Sequence, residues 1–414
     1  MVLRFLKFFL PFQHLNDHQL IELGNLIQIK KIPPNETFIQ LFSDTSYQYF
    51  LIDGTVEVGD ESATQWLIHS RSENARNPLS RFRPSRYSVK SVTEIKVVIV
   101  DLDTVFQFAN KSAQDDHSEK IKQHYLYQKL LKDLRDNRLK LPSVPDVAIK
   151  IRQALYDEKS NFRQIANIIA SDPAITTKII KTANSALYRS IHKIDDCQMA
   201  VTRLGTKVTS QLVTSFSMKE LFTTKNKSLK KKMMAVWNHS REVAALSFVL
   251  AKITPGFNAE HALLAGLLHD IGAIPIISYA DKHPEIMENQ YDFDLLIDEL
   301  KGEIGAAILT KWSFSDDLIT TAKESENWFR QPGEKPEYCD IIIVAQLHAM
   351  VGKPVSANTI AGTADAAHKR SVIPRLDEVP AFTKLALGQL TPELSIKVLE
   401  QAKEQVEETI NLLS

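Results

Sequence analysis

The hydrophobic pattern of this chain changes period part-way along its length. Residues 1–110 hold short runs with strand character at 37–41, 47–52, 55–58, 65–69, 87–92 and 95–100, separated by polar turns. From residue 139 onward apolar residues recur at helical spacing, as in Phe162, Ile165, Ala166 and Ile169. A strand presents every second side chain to one face and a helix every third or fourth, so the two textures predict two architectures. The expected fold is multidomain α and β, with an N-terminal β-barrel or jelly roll and a C-terminal all-α unit. Boundaries are expected at 1–110, a connecting helix over 111–138, a helical domain over 139–335 and a helical extension over 336–414. With 414 residues, each unit can bury a core of its own.

Local signals sharpen this outline. Residues 15–29 read as a helix through Leu15, Leu20, Leu23, Leu26 and Ile27, ended by Pro33-Pro34-Asn35. Asp53-Gly54 reads as a tight hairpin turn. Asp172-Pro173 reads as a helix start, with Asp as N-cap and Pro preorganised in the first turn. The five lysines between Lys225 and Lys232 read as a solvated loop.

Composition narrows the function classes. Fifty Lys and Arg balance fifty Asp and Glu, so no basic field steers the chain to nucleic acid. Cys197 and Cys339 give no disulfide framework, and no export signal or bilayer-length apolar run is read, so a cytoplasmic location is expected.

The chemistry concentrates in two places. Leu263-Leu264-Ala265-Gly266-Leu267-Leu268-His269-Asp270-Ile271-Gly272 ends an apolar helix on a His-Asp pair, and His239 shares an apolar face with Val243, Leu246 and Leu250. Both imidazoles are expected to point inward and meet. The second place is the arginine-rich stretch with Arg71, Arg76, Arg81, Arg83 and Arg86.

Four pieces of the helical part resemble the HDOD domain, a relative of the HD phosphohydrolases. They are Leu141-Pro142-Ser143-Val144-Pro145; Ser171-Asp172-Pro173-Ala174 with Ala183-Asn184-Ser185-Ala186; Ala200-Val201-Thr202-Arg203-Leu204-Gly205; and Trp237-Asn238-His239-Ser240 with the His269-Asp270 segment. The resemblance implies an all-helical fold and a regulatory role in bacterial signalling. It also implies that His239, His269 and Asp270 stand where HD hydrolases hold metal. Imidazoles would supply neutral nitrogen ligands, and a carboxylate would offset the ion's charge. The family's distant Asp aligns with Gln346, which offers only a neutral carbonyl. Lys301 stands where multi-metal relatives carry a histidine, and its ammonium would repel a divalent cation. His348 is expected to face away and Asp340 to precede its helix. Three readings stay open: a hydrogen-bonded core knot, a weakly occupied single-metal site, and a working phosphohydrolase. Trp237 and Trp312 read as core residues.

The N-terminal part resembles a cyclic-nucleotide-binding domain through Pro11-Phe12, Pro34-Asn35-Glu36 and the segment Tyr49 to Val58. That resemblance implies a Gly-Glu pair and an Arg on the cyclic phosphate. The corresponding stretch has no Gly-Glu, and Arg86 is the candidate phosphate ligand. Ordinary cyclic nucleotide binding is therefore not expected. The reading taken forward is a non-catalytic regulatory signalling protein with a protein partner, no membrane or nucleic-acid partner and no required cofactor. The alternative is a metal-dependent phosphohydrolase or phosphodiesterase.

Overall fold

The computed structural model describes residues 4–13, 15, 17–60, 65–79, 85, 87–101, 104–105, 125–136, 138–156, 161–188, 192–284, 290–351, 379–387 and 392–414. Arg81, Arg83 and Arg86 lie outside this set, as do most of the connecting helix expected over 111–138 and the polar segment around 354–375.

Two short 3-10 helices, Arg4–Phe8 and Leu10–Phe12, and helix α1 (Asp17–Gly24) precede seven strands. These are β1 (Gln28–Ile32), β2 (Thr37–Ile39), β3 (Tyr47–Asp53), β4 (Thr55–Gly59), β5 (Gln65–His69), β6 (Ser88–Ser91) and β7 (Ile95–Asp101). They pair antiparallel as two sheets, ordered β1-β7-β3 and β2-β6-β4-β5. The double-sheet form is therefore realised, with no closed barrel among the described residues. Alternation places Val56 opposite Ile68 and Val58 opposite Val89, all buried with Leu51 and Val97 in one core. The next residue on β3, Phe50, points the other way and packs with Phe9, Phe12, Leu20 and Leu23. The three-stranded sheet is thus covered on both faces, which is why β3 and β7 are nearly continuous apolar runs.

Two expectations need correction here. Asp53-Gly54 is not a hairpin turn, because β3 pairs with β7 while β4 pairs with β5 and β6. It is a corner where the chain changes sheets. Gly54 has φ +90°, and a Cβ there would meet the Glu94 carbonyl at 2.6 Å, so the corner requires glycine. The helix expected over 15–29 stops at Gly24, and β1 begins at Gln28. β1 is an edge strand with only Ile32 buried, so it carries no alternation to read.

The remaining elements are helical: α2 (Tyr125–Arg135), α3 (Asp146–Tyr156), α4 (Phe162–Ala170), α5 (Pro173–Ala183), α6 (Cys197–Leu204), α7 (Thr206–Ser217), α8 (Lys227–Ile253) and α9 (Ala259–Leu268). Then follow α10 (Ala273–Tyr279), α11 (Gln290–Lys311), α12 (Asp316–Glu324), α13 (Tyr338–Val351), α14 (Pro380–Leu387), α15 (Pro392–Gln401) and α16 (Lys403–Leu412). Several of their starts are capped by side chains. Asp172 accepts from Ala174 N at 2.9 Å and Ile175 N at 3.0 Å, Asn161 and Gln164 form a reciprocal capping box, and Asn258 accepts from His261 N at 2.8 Å. One hydrophobic cluster runs from Leu130 on α2 to Leu413 just past α16. Trp237 and Trp312 belong to it, and Trp312 Nε1 donates to the Pro142 carbonyl at 3.1 Å. Asn184 ties its loop down by donating to the Ile180 and Ile194 carbonyls and accepting from Ile194 N.

Two further readings change. Lys227 to Lys232 form the first turns of α8 rather than a solvated loop, and Lys232 is buried on Asp294 with its ammonium 5.0 Å from the Phe293 ring. The stretch Ala259–Tyr279 does reach bilayer length and hydropathy, but 89% of its most apolar window is buried in the helical core. A turn between α9 and α10 interrupts it.

Candidate metal centre

Helices α8 and α9 approach closely because Gly266 has no side chain. A Cβ at 266 would stand 2.6 Å from the Ala244 Cα on α8. The turn after α9 carries His269 and Asp270, both buried. Gly272 lets α11 press on that turn: a Cβ there would lie 1.9 Å from the Lys301 carbonyl. Two glycines thus bring three helices together around the His-Asp pair, and α11 delivers Lys301 directly to it.

His269 donates from Nδ1 to the Gly266 carbonyl at 2.7 Å. A carbonyl only accepts, so this bond fixes the tautomer and leaves Nε2 with a lone pair. That lone pair faces His239 Nε2 at 3.3 Å and Asp270 Oδ2 at 3.4 Å, and His239 Nε2 is 3.8 Å from the same oxygen. Burial holds the His269 imidazole below its ordinary pKa, against the opposing pull of Asp270, so the ring is neutral. The three ligand atoms all lie within 4.8 Å of one another. Two of the separations match those around one ion, since ligand atoms about 2.0–2.2 Å from a metal are roughly 3.0–3.6 Å apart, and the third, 3.8 Å, is slightly longer. The sequence expectation that His239, His269 and Asp270 converge is therefore realised geometrically.

The fourth side of the cage is built differently. Lys301 Nζ sits 2.7 Å from Asp270 Oδ1, 2.9 Å from Glu326 Oε1 and 3.8 Å from Asp298 Oδ1, with its side chain 3% exposed. Gln346 is buried on α13 and spends its Nε2 on the Ser325 carbonyl at 2.9 Å. That bond ties down the segment carrying Glu326. The residues fit a single ion held by two imidazoles and one carboxylate oxygen. They do not fit a second ion, because a carboxylate bridging two metals uses both oxygens and Asp270 has committed one to an ammonium.

Glu326 and Asp298 are the residues that sequence reading missed. Asp298 lies three residues before Lys301 on α11, a spacing that places both on one helix face. Asp340 was expected before its helix, yet it lies in the first turn of α13, fully buried with Arg330 and Lys384. His348 does face away from the triad, and its Nε2 meets Ser395 Oγ at 2.9 Å.

The comparisons agree with this architecture. Residues 141–328 match the HDOD domain. A Shewanella amazonensis SB2B protein, named provisionally as a metal-dependent phosphohydrolase, is 30% identical, with 64% of this chain and 98% of that one covered and a TM-score of 0.53. The chain belongs to the HDOD family. A Marinobacter aquaeolei VT8 protein, named provisionally for signal transduction, is 14% identical with a TM-score of 0.50 and shares the fold over 96% of this chain and 99% of its own. An uncharacterized protein of Treponema pallidum (strain Nichols) is 24% identical over 220 residues, which is 50% of this chain but only 41% of that relative.

Proposed function

We propose that this chain is a bacterial signal-transduction regulator that acts in the cytoplasm without catalysing phosphoester hydrolysis, its HDOD domain serving as a protein-interaction module. Lys301 carries this reading. A buried ammonium in contact with Asp270 puts positive charge beside the only converging ligand set among the described residues. Glu326 and Asp298 add negative charge, but both face Lys301, Glu326 accepting its hydrogen bond at 2.9 Å and Asp298 pairing with it at 3.8 Å. The name of the Marinobacter aquaeolei protein supports a signalling role. The N-terminal double sheet would then act as a sensor or docking unit, with Arg86 as its candidate anion contact. A protein is the proposed partner, and no nucleic acid, membrane or cofactor is required.

The test is elemental analysis of chelator-free protein together with phosphodiesterase assays in manganese and magnesium. Less than about a tenth of an equivalent of metal and no turnover above Asp270→Asn are expected, since the Lys301 ammonium on Asp270 opposes a divalent ion at the same carboxylate. Metal-dependent turnover lost in Asp270→Asn at unchanged thermal stability would refute the reading.

One observation favours a second reading, a single-ion phosphohydrolase. The Nε2 atoms and Asp270 Oδ2 already stand at metal-ligand separations, and the Shewanella protein's name points the same way. In that case His239, His269 and Asp270 would hold the ion, which when bound supplies an activated water and a Lewis acid.

A further inference from the structure

Helix α2 is the first described element after Val105, the last core residue of the double-sheet unit, so the two units are joined through it. Its seat on the helical core is narrow. Leu130 is the one fully buried side chain among its described residues, with Tyr127, Leu131 and Leu134 packed at the margin. Gln128, Lys132 and Arg135 face solvent, and Tyr125 is 68% exposed. Two polar contacts complete the seat. Tyr279 donates its hydroxyl to Asp133 Oδ2 at 3.1 Å, and Lys129 Nζ donates to His283 Nε2 at 3.4 Å. Tyr279 and His283 stack with ring centroids 4.3 Å apart, so both contacts end on one aromatic pair. An element held by so little apolar area opens at a lower free energy than the core beneath it.

α2 rests against both helices that meet at Gly272. Tyr279 is the last residue of α10, a helix of seven residues whose other end follows the turn carrying His269 and Asp270. Tyr127 faces α11: burial first, and then the charges of Glu299 and Glu303, hold its phenol above the ordinary tyrosine range. Those glutamates stand two residues before and two residues after Lys301. Between α10 and α11 the main chains touch at Gly272, with no side chain to cushion them. A helix is stiff along its axis and packed interiors transmit displacement, so a shift at Tyr279 reaches Gly272, about 10 Å away. Asp133 also accepts from Arg138 Nε at 3.2 Å, which ties the same carboxylate to the loop leading to α3.

We propose that α2 is a releasable clamp: seated, it presses α10 against α11 at Gly272, and unseated, it loosens the turn that presents His269 and Asp270. The N-terminal unit then acts on the His-Asp site by pulling on α2. Linkage makes the coupling reciprocal, so a disturbance of the α10–α11 contact loosens α2 by the same factor. The proposal deepens the regulatory reading and rests on it for its purpose, yet the coupling itself involves neither metal nor partner. A metal-dependent activity would refute that reading and leave the coupling measurable.

Hydrogen exchange on the full chain tests it from both ends. Leu130→Ala removes the buried anchor. Exchange is expected to rise about tenfold or more in α2 and about threefold or more at residues 269–273, and to change less than about twofold in α5 and α7. If that variant fails to fold, Tyr279→Phe takes its place, deleting only the hydroxyl bonded to Asp133. Gly305→Ala probes the reverse direction. Its Cβ would stand 3.4 Å from Gly272 N and 3.3 Å from the Ala322 Cβ, a gentle crowding of the same contact, and α2 is expected to exchange about threefold faster or more. Ile165→Ala on α4 is the control, a buried core position away from α10 and α11, and should leave residues 269–273 within about twofold of the unaltered chain. Faster exchange in α2 with residues 269–273 unchanged would overturn the proposal. So would an equal rise at 269–273 in the Ile165→Ala control, a uniform rise through α5 and α7 in Leu130→Ala, or an α2 indifferent to Gly305→Ala.

Discussion

Two buried knots of charge lie in the helical domain, and they are built to different ends. In one, Arg330 joins Glu324 at 2.8 Å, Glu337 at 2.9 Å and Asp340 at 3.5 Å, while Lys384 adds a second cation on Asp340 at 2.9 Å. In the other, Lys301 joins Asp270, Glu326 and Asp298, but the second oxygen of Asp270 turns to two imidazole nitrogens. The first knot is a closed ionic fastening across α12, α13 and α14. The second gathers two imidazole nitrogens and a carboxylate oxygen within 3.8 Å of one another, an arrangement that fastening alone does not call for. The difference separates a purely architectural ion cluster from one retaining the geometry of a chemical site.

The contrast can be broken at several points. Lys301→Met strands Asp270 with no cation of its own, and a loss of about 3–5 kcal/mol in urea unfolding is expected, since removing one partner leaves an uncompensated buried charge. Added manganese should recover part of that loss if the triad can take an ion. Recovery equal to that of Asp270→Asn would show that it cannot. Arg330→Met is expected to cost less, about 2–3 kcal/mol, because Lys384 still holds Asp340. An equal or larger cost would mean that the two cations act as one unit.

His269→Ala comes next, at about 1–3 kcal/mol, from the orphaned Gly266 carbonyl and a small cavity. This loss in melting should exceed any change in a phosphodiesterase rate. The smallest effect belongs to an ion pair nearer the surface. Asp317 has its carboxyl held down at about 2, burial opposing and the His261 contact at 2.6 Å lowering it. A depressed carboxylate stabilises above its unfolded pKa, so this contribution is present above pH ~4 and lost as pH falls toward 2. Asp317→Asn should flatten that acid limb by about 1 kcal/mol or less, given its 35% exposed side chain. No change in the limb would remove the pair from the stability account.

Much of this was legible from residue patterns because the relevant forces are local. The strands at 47–53 and 95–101 announce themselves through burial on both faces, and α5 through its Asp172-Pro173 cap. The inward aim of His239 and His269 followed from helical phase. What stayed hidden was set by distant backbone approaches. Nothing near Asp53-Gly54 says that its flanking strands join different sheets. Nothing near Lys301 says that Glu326, 25 residues on, meets it, because that pairing depends on Gln346 holding the Ser325 carbonyl. The burial of Lys232 was masked by the lysines around it.

Gly272 carries a consequence of another order. Substitutions at 239, 269 or 270 change the side chains that meet at the site without a main-chain clash of this kind. A single methyl at 272 collides with the α11 backbone and must displace a whole helix. A scaffold held this way sets the spacing of α9 and α11 through the main chain, so the gap between them stays fixed whatever charged side chains fill it.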